Sequence, residues 1–242
     1  MSKTSGHIST ITSTSWHPFD RDIILTSSTD GSVRVWDLSK GKTTFQNHLK
    51  CDVVYRIKNK QGRKATVTCA SYHPSGGAFA VGTLCGTIQI WKSTSVANAA
   101  KSRPDQSVYD VHSKARIKSL TYNMDGTLIA SRGEDDVVCV WDAKRLMNGP
   151  LLTLSGIQSF YDTENVAFSP DGKIICIGTS VKKNSGQKGQ LLFYDCKKKE
   201  ITSTRQNDPL FALDAAPLNV SAIMVLWHAK INQIFVGLSN GM

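Results

Sequence analysis

Cysteine, histidine and acid–hydroxyl pairs are where chemistry could reside in this chain. The six cysteines, at 51, 69, 85, 139, 176 and 196, contain no CxxC and no metal-ligand spacing. Cys69, Cys139 and Cys176 lie inside apolar text, where a free thiol behaves as a small hydrophobe. This usage predicts reduced thiols in cytosol or nucleus. Three of the six histidines, His17, His73 and His228, follow an aromatic residue at the end of an apolar run. Catalytic residues need not recur at one position, so this repetition argues for packing; His48 has no such place. No GxSxG, HExxH, Walker or EF-hand string is present. KKNSGQKG, Lys182 to Gly189, is glycine-containing and wholly basic, yet lacks the GK[ST] ending and strand-to-helix setting of a phosphate loop. The residues predict no enzyme, no cofactor, no metal and no small-molecule substrate.

The elements that hold these residues are short and repeated. ILTSSTDGSVRVWD, Ile24 to Asp37, reads as two strands joined by an Asp30-Gly31 turn and closed by Trp36. Closing aromatics return at Trp91, Trp141 and Tyr194, at intervals of 55, 50 and 53 residues. Upstream of each lies an aromatic strand end, a turn and an apolar strand: SWHPFDRD, SYHPSGGA, TYNMDGTL and AFSPDGKI. A fifth set, VLWHAKINQ, begins near residue 220 and leads to IFVGLSNG. A period near fifty with several strands per unit predicts an all-β propeller blade array.

These residues resemble the WD-repeat family. Gly6-His7 opens the first repeat and Trp36-Asp37 closes it, and 23 residues separate both His7 from Asp30 and His112 from Asp135. The resemblance implies a buried hydrogen-bonded network of His7, Asp30 and Trp36 in the first blade. In the third it implies His112, Asp135 and Trp141. Each would include a strand hydroxyl such as Ser28 or Ser131, because a buried carboxylate needs partners. Cys85 replaces the aspartate in the second repeat and Lys188 in the fourth, so no such network is expected there. About four and a half blades are expected, residues 1–242 forming part of one propeller domain. The expectation is a piece of a larger ring whose terminal blades expose their faces.

Within that family HISTITSTSWHP, LIASRGEDD, FSPDGKIICIGTS and LWHAKINQIFVG resemble the gastrulation-defective type over nearly the whole chain. That implies a nuclear, chromatin-linked scaffold acting in the DNA double-strand-break response with the cullin-4 RING ubiquitin ligase and its adaptor. Receptors for that adaptor often carry W-D-x-R, and this chain has Trp141-Asp142-Ala143-Lys144. Lysine keeps the charge and loses the planar fork. The alternative partner class is spliceosomal, with RNA or RNA-binding proteins.

The net charge of +10, from 29 Lys/Arg against 19 Asp/Glu, favours an acidic partner or nucleic acid. Lys182, Lys183 and Lys188 are the candidate basic partner-binding loop, and Lys197-Lys198-Lys199 lies beyond the next strand. Lys58, Lys60, Arg63 and Lys64 read as a solvated basic turn, and Lys114, Arg116 and Lys118, at alternate positions, as an outward stripe. Residues 93–107 read as a polar connector. No apolar run reaches the roughly 20 residues of a spanning helix, and MSKTSGHIS is no signal peptide.

Overall fold

A computed structural model describes residues 6–39, 51–93, 103–196 and 208–241. The triplet Lys197–Lys199 and His48 lie outside the described residues, as do positions 94–102 of the polar connector. The described residues contain no α-helix. Their strands form four four-stranded antiparallel sheets and a two-stranded one, an arrangement that fits a partial β-propeller. Trp91 and Trp141 lie in strands, as the repeat pattern requires.

The chain divides into two compact units, Met1–Ile117 and Lys118–Met242. In the first unit, β1 (Ile11–Trp16), β2 (Ile23–Ser28), β3 (Ser32–Asp37) and β4 (Cys51–Arg56) pair in sequence order. The β2–β3 turn closes at Gly31, whose φ of 74° suits a residue without Cβ. β5 (Val67–Tyr72), β6 (Ala78–Thr83), β7 (Ile88–Lys92) and β8 (Gln106–Val108) form the second sheet. β8 comes from the end of the segment read as a connector: Gln106, Ser107 and Val108 pair with β7. Leu25, Val33, Tyr55, Val67 and Phe79 form the core of this unit, with Tyr55 edge-on to Phe79 at 4.8 Å and to Trp91 at 5.6 Å.

The second unit holds β9 (Ile117–Tyr122), whose first residue closes the first unit, with β10 (Leu128–Gly133), β11 (Val138–Asp142) and β12 (Leu152–Leu154). β13 (Val166–Phe168), β14 (Ile174–Gly178), β15 (Lys188–Asp195) and β16 (Phe211–Leu218) follow. β17 (Ala222–Trp227) and β18 (Ile234–Leu238) form the pair. Val138, Val140, Ile175, Ile177 and Tyr194 fill one core, and Phe193, Ala222 and Val225 another. A bulge at the first residue of β1, β5 and β17 repeats the blade pattern at the level of backbone register.

The alternate-charge stripe does not exist. Lys114 closes a 3-10 turn at His112–Lys114, Arg116 precedes β9, and Lys118 is buried, donating from Nζ to the Ser159 carbonyl at 2.7 Å. A lysine reads as solvated in sequence, but a carbonyl brought from 41 residues away satisfies its charge inside.

Candidate interaction surface and the polar network beneath it

In the first blade His7 and Asp30 are brought together as the family resemblance implies, with side chains 2% and 4% exposed. His7 Nδ1 lies 2.9 Å from Asp30 Oδ2, and Nε2 lies 2.8 Å from Thr26 Oγ1. Trp36 Nε1 donates to the same Thr26 oxygen at 2.7 Å. One proton direction satisfies the whole set: Trp36 to Thr26, Thr26 to His7, His7 to Asp30. The hydroxyl in the network is therefore Thr26 and not Ser28. Ser28 instead donates to the Ser9 carbonyl and accepts the Asp30 N–H. Burial alone would raise the Asp30 carboxyl, but hydrogen bonds from Ser32, His7 and the Ile8 N–H outweigh it and hold it at about 2.

The register explains which residue takes part. Trp36, Trp91, Trp141 and Tyr194 pair with Ile24, Phe79, Ile129 and Ile175. Two residues further along the partner strand stand Thr26, Val81, Ser131 and Ile177. Hydroxyls occur there in the first and third blades only, and Trp141 Nε1 donates to Ser131 at 2.8 Å. His112 lies in the 3-10 turn of the first unit, while Asp135 lies in the β10–β11 turn and accepts the Val137 N–H at 3.3 Å. In the second blade Trp91 Nε1 donates to Gln89 Oε1 at 3.1 Å, and Gln89 Nε2 donates to the Lys58 carbonyl at 2.8 Å. A side chain within the aromatic's own strand thus replaces the cross-strand hydroxyl. Cys85 lies within 3.4 Å of Thr83 Oγ1 and 3.6 Å of Thr87 Oγ1.

The recurring histidines cap turns. Nδ1 of His17 accepts the Phe19 and Asp20 N–H groups, that of His73 accepts the Ser75 N–H, and that of His228 accepts the Lys230 and Ile231 N–H groups. At the same point in the third and fourth blades, Asn123 accepts the Leu128 N–H and Ser169 the Ile174 N–H. The thiols are placed for packing. Burial lifts Cys139 to about 11 and both Cys176 and Cys196 to about 12, far from the range of a nucleophilic thiolate. Among the described residues no group of three or more His, Cys, Asp or Glu is placed to hold a metal.

Of the docking candidates, Trp141 is buried, and Asp142 spends a carboxylate oxygen on the Lys144 N–H at 2.8 Å. Lys144 itself is exposed. In the basic loop Lys182 and Lys183 are exposed, whereas Lys188 opens β15 and pairs with Asp214 Oδ2 at 2.9 Å. Gln190 donates to the other Asp214 oxygen at 3.0 Å. Beside this loop lies a cavity of about 530 Å³ lined by Ile157, Gln158, Val181, Gln187, Lys188 and Leu218 among others.

Sequence reasoning missed Arg132, which is fully buried. Its Nη1 donates to Asn165 Oδ1 at 2.9 Å and to the Gly178 carbonyl at 3.0 Å. Its Nη2 donates to the carbonyls of Ile157 and Gln158, both at 2.9 Å. Burial lowers its pKa to about 10 against the favourable charge of Asp136. The one available signal was an arginine inside the otherwise apolar strand LIASRG.

The WD domain, G-beta repeat model matches residues 1–37, 51–92 and 104–142. The chain carries WD repeats. These WD repeats are 33% identical, over the whole chain, to WD repeat-containing protein 70 of Xenopus tropicalis, covering 35% of that protein. They are 30% identical to the Gastrulation defective protein 1 homolog of Drosophila melanogaster, covering 33% of it. The chain thus spans about a third of the length of the curated relatives it matches. Among solved structures the crystal structure of the C-terminal WD40 domain of Sif2 overlays 97% of this chain and 57% of its own, with a TM-score of 0.65 at 16% identity. That likeness concerns fold. WD-repeat domains are typically non-catalytic platforms for protein–protein interaction. No described helix is long and apolar enough to cross a membrane.

Proposed function

We propose that the chain is part of a nuclear, non-enzymatic scaffold that holds protein partners, in the manner of a substrate receptor of the cullin-4 RING ligase. The observation that carries this reading is where the polar groups go. The first-blade His–Asp–Thr–Trp set and the turn-capping histidines are engaged in holding strands and turns, while exposed charge is concentrated in loops such as Lys182–Lys183. A rigid sheet array carrying variable loops suits binding, and the one Thr26–His7–Asp30 chain of the first blade is buried as a strand-holding network. Adaptor docking would use exposed Lys144 on the turn that Asp142 caps, and the nuclear setting is part of this proposal.

The test is affinity purification of the full-length protein from nuclear extract, alongside K144E and K182E/K183E variants. The reading expects loss of the cullin-4 adaptor from the first and of another protein partner from the second. Identical partner sets for all three would reject both surfaces. The net charge of +10 favours a second reading, a spliceosome-associated protein contacting RNA. Steep salt dependence of RNA binding without adaptor recovery would support it.

A further inference from the structure

The connection between β12 and β13 is held more tightly than an exposed loop requires. Arg132 takes the carbonyls of Ile157 and Gln158. Lys118 takes the Ser159 carbonyl, Asp136 accepts the Ser159 N–H at 3.1 Å, and Ser159 Oγ donates to the Tyr161 carbonyl. Ser180 accepts the Phe160 N–H at 3.1 Å and donates its own N–H to the Gln158 carbonyl at 3.0 Å. A buried arginine and a buried lysine are thus committed to one surface segment. Yet the side chains that segment presents, Phe160 and Tyr161, are 49% and 36% exposed. Two aromatic rings held in water by a locked backbone are costly as structure and well suited to recognition, because little freedom remains to be lost on binding.

We infer that Phe160, Tyr161 and the adjoining cavity bind an acidic peptide segment carrying an apolar side chain. The inference rests on the scaffold reading and names the partner's chemistry. Ile157, Val181 and Leu218 offer the cavity's apolar wall, and Gln158 and Gln187 offer amides for a peptide backbone. Ser180 anchors Phe160 to the segment after β14, and that same segment continues within three residues into exposed Lys182 and Lys183. Single-stranded nucleic acid would also use rings and lysines, but exposed Asp162 and Glu164 lie within three residues after Tyr161. Those carboxylates repel a phosphate chain of uniform charge, whereas a peptide can place its acids at the lysines alone.

The test is selection of a random peptide library on the full-length protein, with labelled oligouridine as the nucleic-acid probe. Wild type should enrich sequences that place acidic residues beside an aromatic or branched apolar one. F160A/Y161A should weaken the selected peptide at least tenfold, and K182E/K183E should remove the acidic preference, with melting temperatures unchanged. Two results would overturn the inference: selected peptides that bind both variants as they bind wild type, or oligouridine binding that depends on Phe160 and Tyr161. Failure to select any peptide overturns it as well. The scaffold reading survives each of these if nuclear partners still co-purify, and falls only if wild type retains none.

Discussion

The ring of His17 occupies the place a side chain at Gly76 would take. A Cβ at Gly76 would lie 2.4 Å from His17 Nε2, while His17 Nδ1 caps its own turn and the ring meets Tyr72 edge-on at 5.1 Å. The same relation returns in the second unit, where a Cβ at Gly172 would lie 2.9 Å from Asn123 Nδ2. Each capping side chain thus braces the turn of the following sheet, which is why residue types repeat once per blade. Gly76 has a φ of 71°, so Gly76→Ala adds backbone strain to the clash and is expected to cost about 2 kcal/mol or more in urea unfolding. His17→Ala in the same chain should recover the clash part. Additive costs in that double-mutant cycle would refute the contact.

Thr26 accepts from Trp36 and donates to His7, so Thr26→Val should destabilise by about 1–3 kcal/mol by leaving Trp36 Nε1 and His7 Nε2 unpaired. Ser28→Ala, which loses the Ser9 carbonyl at 3.2 Å and the Asp30 N–H at 3.1 Å but leaves the His7 and Trp36 contacts in place, should cost less. Equal costs in thermal melts would place the network hydroxyl elsewhere.

Asp30 gives the acid limb of the stability curve a defined sign. Its folded pKa, about 2, lies below the ordinary 3.8, so its contribution is fully present above about pH 4 and is lost as pH falls through 2. The shift corresponds to about 2 kcal/mol. Unfolding free energies measured from pH 5 to 2 should fall more steeply for wild type than for Asp30→Asn. Parallel curves would contradict the assignment.

Arg132→Met should cost about 3–5 kcal/mol, since four acceptors lose a buried cation. The loss should be local first. Amide exchange at Phe160 and Ser180 should accelerate, while exchange in β11 and β15 of the same unit should not. Uniform acceleration would mean that Arg132 supports the unit as a whole and not the loop.

The contrast between Trp36 and Arg132 shows what the sequence made legible. Aromatic spacing and Asp-Gly turns are local signals, so the repeated strands could be read directly, while the His7–Asp30 pair came from the family resemblance those signals carry. Naming Ser28 as an example of the strand hydroxyl came from lacking a register: the position is set by the residue two along from the partner of the closing aromatic, and a bulge or insertion shifts it. Arg132 and Lys118 were illegible because their acceptors are backbone carbonyls from distant loops, which leave no pattern in residue type. For the same reason a buried lysine passed for part of a solvated stripe, and the tethered Phe160–Tyr161 segment drew no reading at all.

The central claim, that this repeat array recognises proteins through its loops, is tested most directly by a photo-cross-linking amino acid at Lys183 of the full-length protein in living nuclei. The account predicts adducts to protein, mapping to acidic segments and lost when Phe160 and Tyr161 are changed to alanine. Adducts to RNA alone would contradict it, and protein adducts indifferent to those two rings would contradict the Phe160–Tyr161 site.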